Sequence, residues 1–429
     1  MTCSSYPSRA QIETDQLAKL RPLIAALLKS NNFYSPRLAD AGITPDIESI
    51  SDFVHRMPLT TKQDLVDDQQ SHPPYGTNLT YDLSQYTRFH QTSGTTRTPI
   101  RWLDTNESWS WMLDNWARVF EAAGVTESDH IYFAFSFGPF LGFWTAFESA
   151  LRIGCMAIPG GGMTSALRLR AMIDNGATVL CCTPTYSLRL AEVAARENID
   201  LSQSKVRAII AAGEPGASIP ATRKLMEDAW NGAKVVDHHG MTEIGPVSYE
   251  NPNHTGMLHI IESAFIAEVI DTQSLQPVEP GQTGELILTN LGRTGSPLLR
   301  YRTGDIVRPA TATPEQLQCS DLALGNGILG RCDDMVVIRS VNIFPSAIEE
   351  VIRSQRDIAE FQVEVSTQRQ MAELSVTIEA APDCPDPKAL LESITQALQN
   401  ATSIRVPVDL VEPGTLPRYE MKAKRWIMK

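Results

Sequence analysis

Residues 92–96 read Thr-Ser-Gly-Thr-Thr, four hydroxyl side chains around one glycine, directly after a stretch with strand character. Backbone N–H groups and hydroxyls bent around a glycine form a cradle for phosphate oxygens, although the same composition also makes an ordinary turn. Further on, the run Tyr132–Trp144 concentrates aromatic rings beside Gly138 and Gly142, and Gly160-Gly161-Gly162 and Pro184-Thr185-Tyr186 follow it. That arrangement suits a slot for a flat apolar molecule, and it equally suits aromatic core around a buried strand.

These groups need a scaffold, and the pattern along the chain supplies one. From Gln16 to Leu28 apolar positions recur at helical spacing until Asn31-Asn32 stops them, and the stretches 58–62 and 72–76 read as turns and loops leading to a strand near Tyr86–His90. Helices over Ser165–Ile173, Ser187–Ala195 and Ile219–Trp230 alternate with apolar runs Ala177–Cys182, Val206–Ala212 and Lys234–Asp237, the order of a mostly parallel sheet covered by helices. Between Gly256 and Thr289 the texture turns to period-two stretches broken by Pro277, Pro280 and Gly281, which predicts a β-rich subdomain. After Gly330 short strands (335–339, 361–365, 374–378, 406–411) and helices (345–354, 387–398) predict a compact α+β domain. The expected division is therefore 1–330 and 331–429.

Composition sets limits. The chain has 429 residues, 42% of them hydrophobic and 20% charged, and no run approaches the roughly 20 apolar residues of a membrane span. Nothing at the start resembles a secretory leader, so a soluble, cytoplasmic protein is expected, with its seven cysteines reduced. A net charge of -13 opposes binding to nucleic acid but leaves room for a small anion, because local N–H groups and cations act within a Debye length of about 8 Å.

The loop at 92–96 recurs with partners in a fixed order: AGEPG at 212–216, HHGMTEIGP at 238–246, GELILT at 284–289, LLRYRTGD at 298–305, GRCDDMVVIRSVNIFPSAIEEV from Gly330 and LPRYEMKAKR from Leu416. In these motifs the chain resembles the adenylate-forming superfamily, and within it the phenylacetate-CoA ligase family, over nearly its whole length. The resemblance implies an α/β fold with a large N-terminal adenylate-forming domain and a small mobile α+β C-terminal domain. It implies ATP, Mg2+ and coenzyme A as cofactors. Thr92, Ser93, Gly94, Thr95, Thr96 and Arg97 would hold phosphates, Thr242 the α-phosphate, and Glu243 would ligate Mg2+. Gly213, Glu214, Pro215, Asp237, His238, His239, Gly240 and Met241 would surround the adenine, and Asp305 and Arg331 would meet the ribose. Lys422 would bridge the carboxylate and α-phosphate, a task suited to a point cation on a flexible stem. Asp333 would be the hinge, and Phe137, Gly138 and Pro184 would line the acyl pocket.

The chain also departs from the family. Arg97 and Thr98 stand where relatives carry glycine and lysine, His239 replaces a tyrosine, and Ser340 replaces a glycine in the loop after the hinge. Where some relatives hold a structural zinc, the matching residues are Asn251, His259, Cys319 and Asp321, a poor tetrahedral set, so no zinc is expected. The activity implied is ATP-dependent conversion of a carboxylic acid, aromatic and phenylacetate-like, to its acyl-adenylate and then its CoA thioester, in a possible homodimer. The alternatives are transfer to an amine or carrier protein, or a catalytically weakened nucleotide-binding homologue.

Overall fold

The computed structural model describes residues 6–92, 99–332, 336–338, 341–368, 371–402, 404–419 and 423–428. By packing they fall into two compact units, one made of 1–161 and 238–327, the other of 162–237 and 328–429. Among the described residues no helix is long and apolar enough to cross a membrane.

The first unit opens on the helix Arg9–Ser30, which begins earlier than the apolar repeat because the Ser8 side chain accepts from the Gln11 N–H and caps it. Asn31 ends it as expected, and its side-chain oxygen accepts from the N–H groups of Phe33 and Tyr34 as the next helix starts. Between the two stretches expected to be turns and loops, 58–62 and 72–76, lies a ten-residue helix, Lys62–Ser71. Its sequence is polar and buries only Leu65 and Val66, so periodicity is weak; a reciprocal capping box between Thr61 and Asp64 starts it.

Strand Tyr86–Gln91 pairs antiparallel with Arg101–Thr105, which leads through the Thr105 cap into the helix Asn106–Ala122. Strands His130–Phe133 and Met156–Pro159 run parallel and are joined by the helix Trp144–Arg152. The β-rich subdomain is present. Phe265–Ile270, Gly284–Asn290 and Tyr301–Val307 form an antiparallel ladder, and Ser248–Glu250, Met257–Ile260 and Ala323–Gly325 form another.

In the second unit the strands Val179–Cys182 and Ala208–Ala212 pair in parallel with every residue buried, the burial their unbroken apolar runs require. Helices Ser165–Asp174, Pro184–Arg196 and Pro220–Ala229 alternate with them. The C-terminal part is a four-stranded sheet in the order Val408–Val411, Met371–Ala380, Ile358–Gln368, Trp426–Met428, whose central pair is antiparallel and whose outer strands run parallel to their neighbours. Helices Pro345–Arg353 and Pro387–Thr402 bury Ile348, Ile352, Ile394 and Leu398 against Phe361, Val363, Val376 and Ile378. The α/β fold class with a small α+β C-terminal part matches expectation.

Candidate active site

In the first unit several of the expected site residues gather at a hairpin turn. Gly240–Met241 and Gly245–Pro246 pair antiparallel, leaving Thr242, Glu243 and Ile244 as the loop. A Cβ on Gly240 would stand 2.9 Å from the Gly245 carbonyl oxygen and 3.3 Å from His238 Nε2, so glycine lets the two arms close. Glu243 is only 6% exposed, yet its Oε1 lies 3.3 Å from Nζ of Lys62, a buried carboxylate beside a half-exposed ammonium. Lys62 is pinned by the chain before it: Thr60 exchanges backbone hydrogen bonds with Arg300 and Arg302 across Tyr301. No sequence pattern singled out Lys62, which lies at the end of a stretch expected to be a loop.

Asp305 is aimed by a bulge. Glu285 pairs with Ile306 and Ile287 with Arg302, so Thr303, Gly304 and Asp305 all oppose Leu286. Gly304 takes φ +76°, a conformation open to glycine at little cost. Asp305 Oδ2 then lies 2.9 Å from His239 Nε2, and both side chains are largely buried. His238 points elsewhere: Nδ1 is 2.7 Å from the Ser248 carbonyl, and the ring lies 4.2 Å from Trp116. Burial pushes the His238 pKa down to about 3 against the help of the Ser248 carbonyl, so this imidazole is neutral and structural.

In the second unit Glu214 is already engaged. One carboxylate oxygen accepts from the Thr185 N–H at 2.9 Å and the other from the Ala423 N–H at 2.9 Å. Gly213 and Pro215 on either side are exposed, whereas Asp237 is buried and accepts from the Ser218 hydroxyl. Pro184 opens the helix Pro184–Arg196 and is buried against Gly216, where a Cβ would come 2.9 Å from its Cγ. Arg331 is half-buried on the short strand Gly330–Arg331.

The aromatic run divides between both of its sequence readings. Tyr132, Phe133 and Phe143 are core, while Phe137 is partly exposed, 4.4 Å from Phe135 and edge-on to Trp144 at 4.5 Å. Trp144 Nε1 donates to the Gly138 carbonyl at 2.9 Å, and a Cβ on Gly161 would sit 3.5 Å from the Phe137 ring. Phe137 and Gly138 therefore belong to one ring cluster of the first unit that reaches the surface, and Pro184 is buried within the second unit.

Ser93, Gly94, Thr95, Thr96, Arg97, Asp333, Ser340 and Lys422 lie outside the described residues. Thr92 is described: its N–H donates to the Ile100 carbonyl at 3.0 Å and its hydroxyl accepts from the Ile100 N–H at 3.0 Å. Around the residues weighed as zinc ligands, the Tyr249 hydroxyl donates to Asp321 at 2.8 Å and lies 3.3 Å from Cys319 Sγ, while Asn251 bonds the Leu317 carbonyl and the Asn253 N–H.

Residues 85–292 match the family model of the AMP-binding enzymes, and residues 340–429 match the AMP-binding enzyme C-terminal domain. The chain is 30% identical over 418 residues to a phenylacetate-coenzyme A ligase of Pseudomonas putida, an alignment covering 95% of this chain and 92% of that one. Against the phenylacetate-coenzyme A ligase of Thermus thermophilus the identity is 30%, covering 96% of this chain and 95% of the relative. Among solved structures, a 2-hydroxyisobutyryl-CoA ligase in the postadenylation state with R3-HIB-AMP superposes with a TM-score of 0.92 at 26% identity, covering 99% of this chain and 91% of that one. The same ligase in its thioesterification state with 2-HIB-AMP and CoA gives 0.73 at 27% identity, covering 99% and 91%.

Proposed function

The chain belongs to the phenylacetate-coenzyme A ligase family of AMP-binding enzymes, and we propose that it activates a carboxylic acid with ATP and passes the acyl group to coenzyme A. The observation that carries this reading beyond relatedness is Glu243: a buried carboxylate on a fixed turn, held beside a lysine ammonium, has the charge and donor atoms for a magnesium ion. Bound there, Mg2+ would neutralise triphosphate charge.

In the proposed reaction a carboxylate oxygen of the acid attacks the α-phosphorus, the bond to pyrophosphate breaks and pyrophosphate leaves with the electron pair. The CoA thiolate then attacks the acyl carbon and AMP departs. Thr242 contacts the α-phosphate, and Thr92, Ser93, Gly94, Thr95, Thr96 and Arg97 cradle the remaining phosphates. Asp305 and Arg331 hold the ribose; Gly213, Pro215, Asp237, His239, Gly240 and Met241 flank the adenine. Glu214 contributes there through its backbone, since both carboxylate oxygens accept from Thr185 and Ala423. Lys422 brings the positive charge that the α-phosphate needs as negative charge builds in the transition state. The segment 331–429 turns about Asp333 between the two half-reactions, relative to 1–330.

We propose an aromatic acid of phenylacetate type, because Phe137 and Gly138 sit in a ring cluster that a flat apolar acid would extend. A second copy of the chain is the protein partner we propose, and the cytoplasm the compartment.

Acid-dependent exchange of pyrophosphate into ATP, measured over a panel of aromatic and aliphatic acids, is the direct test. Exchange with an arylacetate, followed by a CoA thioester when CoA is added, is the expected result, and Lys422→Ala is expected to abolish exchange while retaining ATP binding. ATP binding without exchange for any acid would overturn the reading, and exchange without thioester would replace CoA by another acceptor.

A further inference from the structure

Arg293 reaches the Thr242-Glu243 turn from a different stretch of chain. Its side chain is wholly buried, and an arginine keeps its charge at any pH a protein survives, so each donor requires an acceptor. Nε and one terminal nitrogen donate to the two oxygens of Asp104, each at 2.6 Å, a bidentate pair. The other terminal nitrogen donates to the Thr242 carbonyl at 2.7 Å and to the Glu243 carbonyl at 3.0 Å. The Trp102 ring lies 5.2 Å below the guanidinium.

Two consecutive carbonyls sharing one donor fix the direction of both peptide planes, and the planes set where the Thr242 and Glu243 side chains leave the backbone. Asp104 cannot drift either: it lies on the strand Arg101–Thr105, paired with Arg88, and the next residue caps the helix Asn106–Ala122. The brace thus runs from a strand, through an arginine, to the backbone of the two residues assigned to the α-phosphate and to Mg2+.

We propose that Arg293, held by Asp104, is the positioning residue of this metal and phosphate turn, setting the geometry in which Glu243 takes up Mg2+. The proposal rests on the assignment of Glu243 and Thr242 made above. A lysine at 293 keeps the charge but lacks the fork, and so cannot hold both Asp104 oxygens and both carbonyls.

The test compares wild type with Arg293→Lys, Asp104→Asn and Glu243→Gln, following Mg2+ dependence of ATP–pyrophosphate exchange and, separately, thioester formation from supplied phenylacetyl-adenylate and CoA, a step without a triphosphate. Arg293→Lys is expected to raise the Mg2+ concentration for half-maximal exchange by about 10-fold or more, the size of effect when a group supporting a metal ligand is lost. Thioester formation from supplied adenylate should fall clearly less than exchange, because the adenylate keeps the α-phosphate that Thr242 contacts but has no triphosphate for Mg2+ to neutralise. Should Arg293→Lys not fold, Asp104→Asn, nearly isosteric, carries the same measurements. An unchanged Mg2+ requirement in the folded variant, or an equal fall in both half-reactions, would overturn the proposal. If Glu243→Gln itself leaves the Mg2+ dependence at the wild-type value, the metal assignment fails; if it shifts the dependence while the other two variants do not, only the positioning role fails.

Discussion

Arg293 in the first unit and Arg425 in the second are both buried guanidiniums that grip both oxygens of one carboxylate, Asp104 and Glu360 respectively, and they differ in what the remaining donors hold. Arg293 spends them on two backbone carbonyls of a single turn. Arg425 spends one on the Thr185 hydroxyl at 3.1 Å, and it shares its surroundings with Arg353, Glu349 and Glu360. Burial, and then the nearby Arg425, lower the Arg353 pKa, while burial raises that of Glu349. A side chain bonded to backbone has one geometry available, whereas a cluster of two arginines and two glutamates can redistribute its pairs. The first arrangement suits a site that must hold one shape. The second suits a contact that has to re-form, as the proposed turning of 331–429 requires.

Breaking the rigid arrangement should have the largest effect. Asp104→Ala leaves the Arg293 charge buried with only carbonyl acceptors, and a loss of about 3–5 kcal/mol is expected, read as a lower urea midpoint with unchanged slope. A loss below about 1 kcal/mol would mean that water reaches the guanidinium, and the contrast with Arg425 would disappear.

How far the sequence reveals all this depends on whether neighbours or distant partners decide the structure. The strands Val179–Cys182 and Ala208–Ala212 are legible because parallel strands buried on both faces must be continuously apolar. The helix Lys62–Ser71 is hidden by its polarity, although Thr61 and Asp64 offered a capping signal. Asp305 and Glu243 are recognisable through their motifs, yet the bulge that aims one and the lysine that meets the other depend on segments far along the chain. Arg293 is the clearest limit. A charged residue in a glycine-bearing stretch reads as surface, and its burial follows only from Asp104, 189 residues earlier. Glu214 shows the same limit: read locally it lines the adenine, while its carboxylate bonds backbone 29 residues before it and 209 after it.

Acid should separate the two units next. All eight histidines lie in 1–161 or 238–327. Burial pushes the pKa of His90 and His259 down to about 4 and that of His238 to about 3. The folded state therefore binds fewer protons than the unfolded chain below the ordinary histidine value, and stability falls as pH drops from about 6.5, by roughly 1.4 kcal/mol per pH unit for each imidazole. Asp321 acts the other way, since burial raises it to about 6 and its protonation then favours the fold, offsetting one of the three. In the second unit burial would raise Glu379, but Arg418 and the N–H groups of Gly414 and Leu416 hold it at about 2, and Arg425 likewise keeps Glu360 low. Their stabilisation is lost only as pH falls through the carboxylate range. Segment-resolved hydrogen exchange, corrected for intrinsic rates, should show protection falling between pH 7 and 5 around Trp116 and His259 but not in Val179–Ala212. Parallel loss in both would contradict the separation.

The smallest expected effect bears most directly on the contact that re-forms. Glu214→Gln keeps the side-chain shape and one acceptor oxygen, but the amide nitrogen cannot accept, so either Thr185 or Ala423 loses its partner. Glu214 is only partly buried and water can take up some of the slack, so a loss of about 1–2 kcal/mol is expected. The change should be local. Amide exchange at Ala423 and Thr185 should quicken while the turn at Thr242 keeps its protection, because Arg293 still holds that turn from within the other unit. Equal quickening at Thr242 would show that the two regions respond together, and the distinction between a fixed brace and a re-forming contact would have to be abandoned.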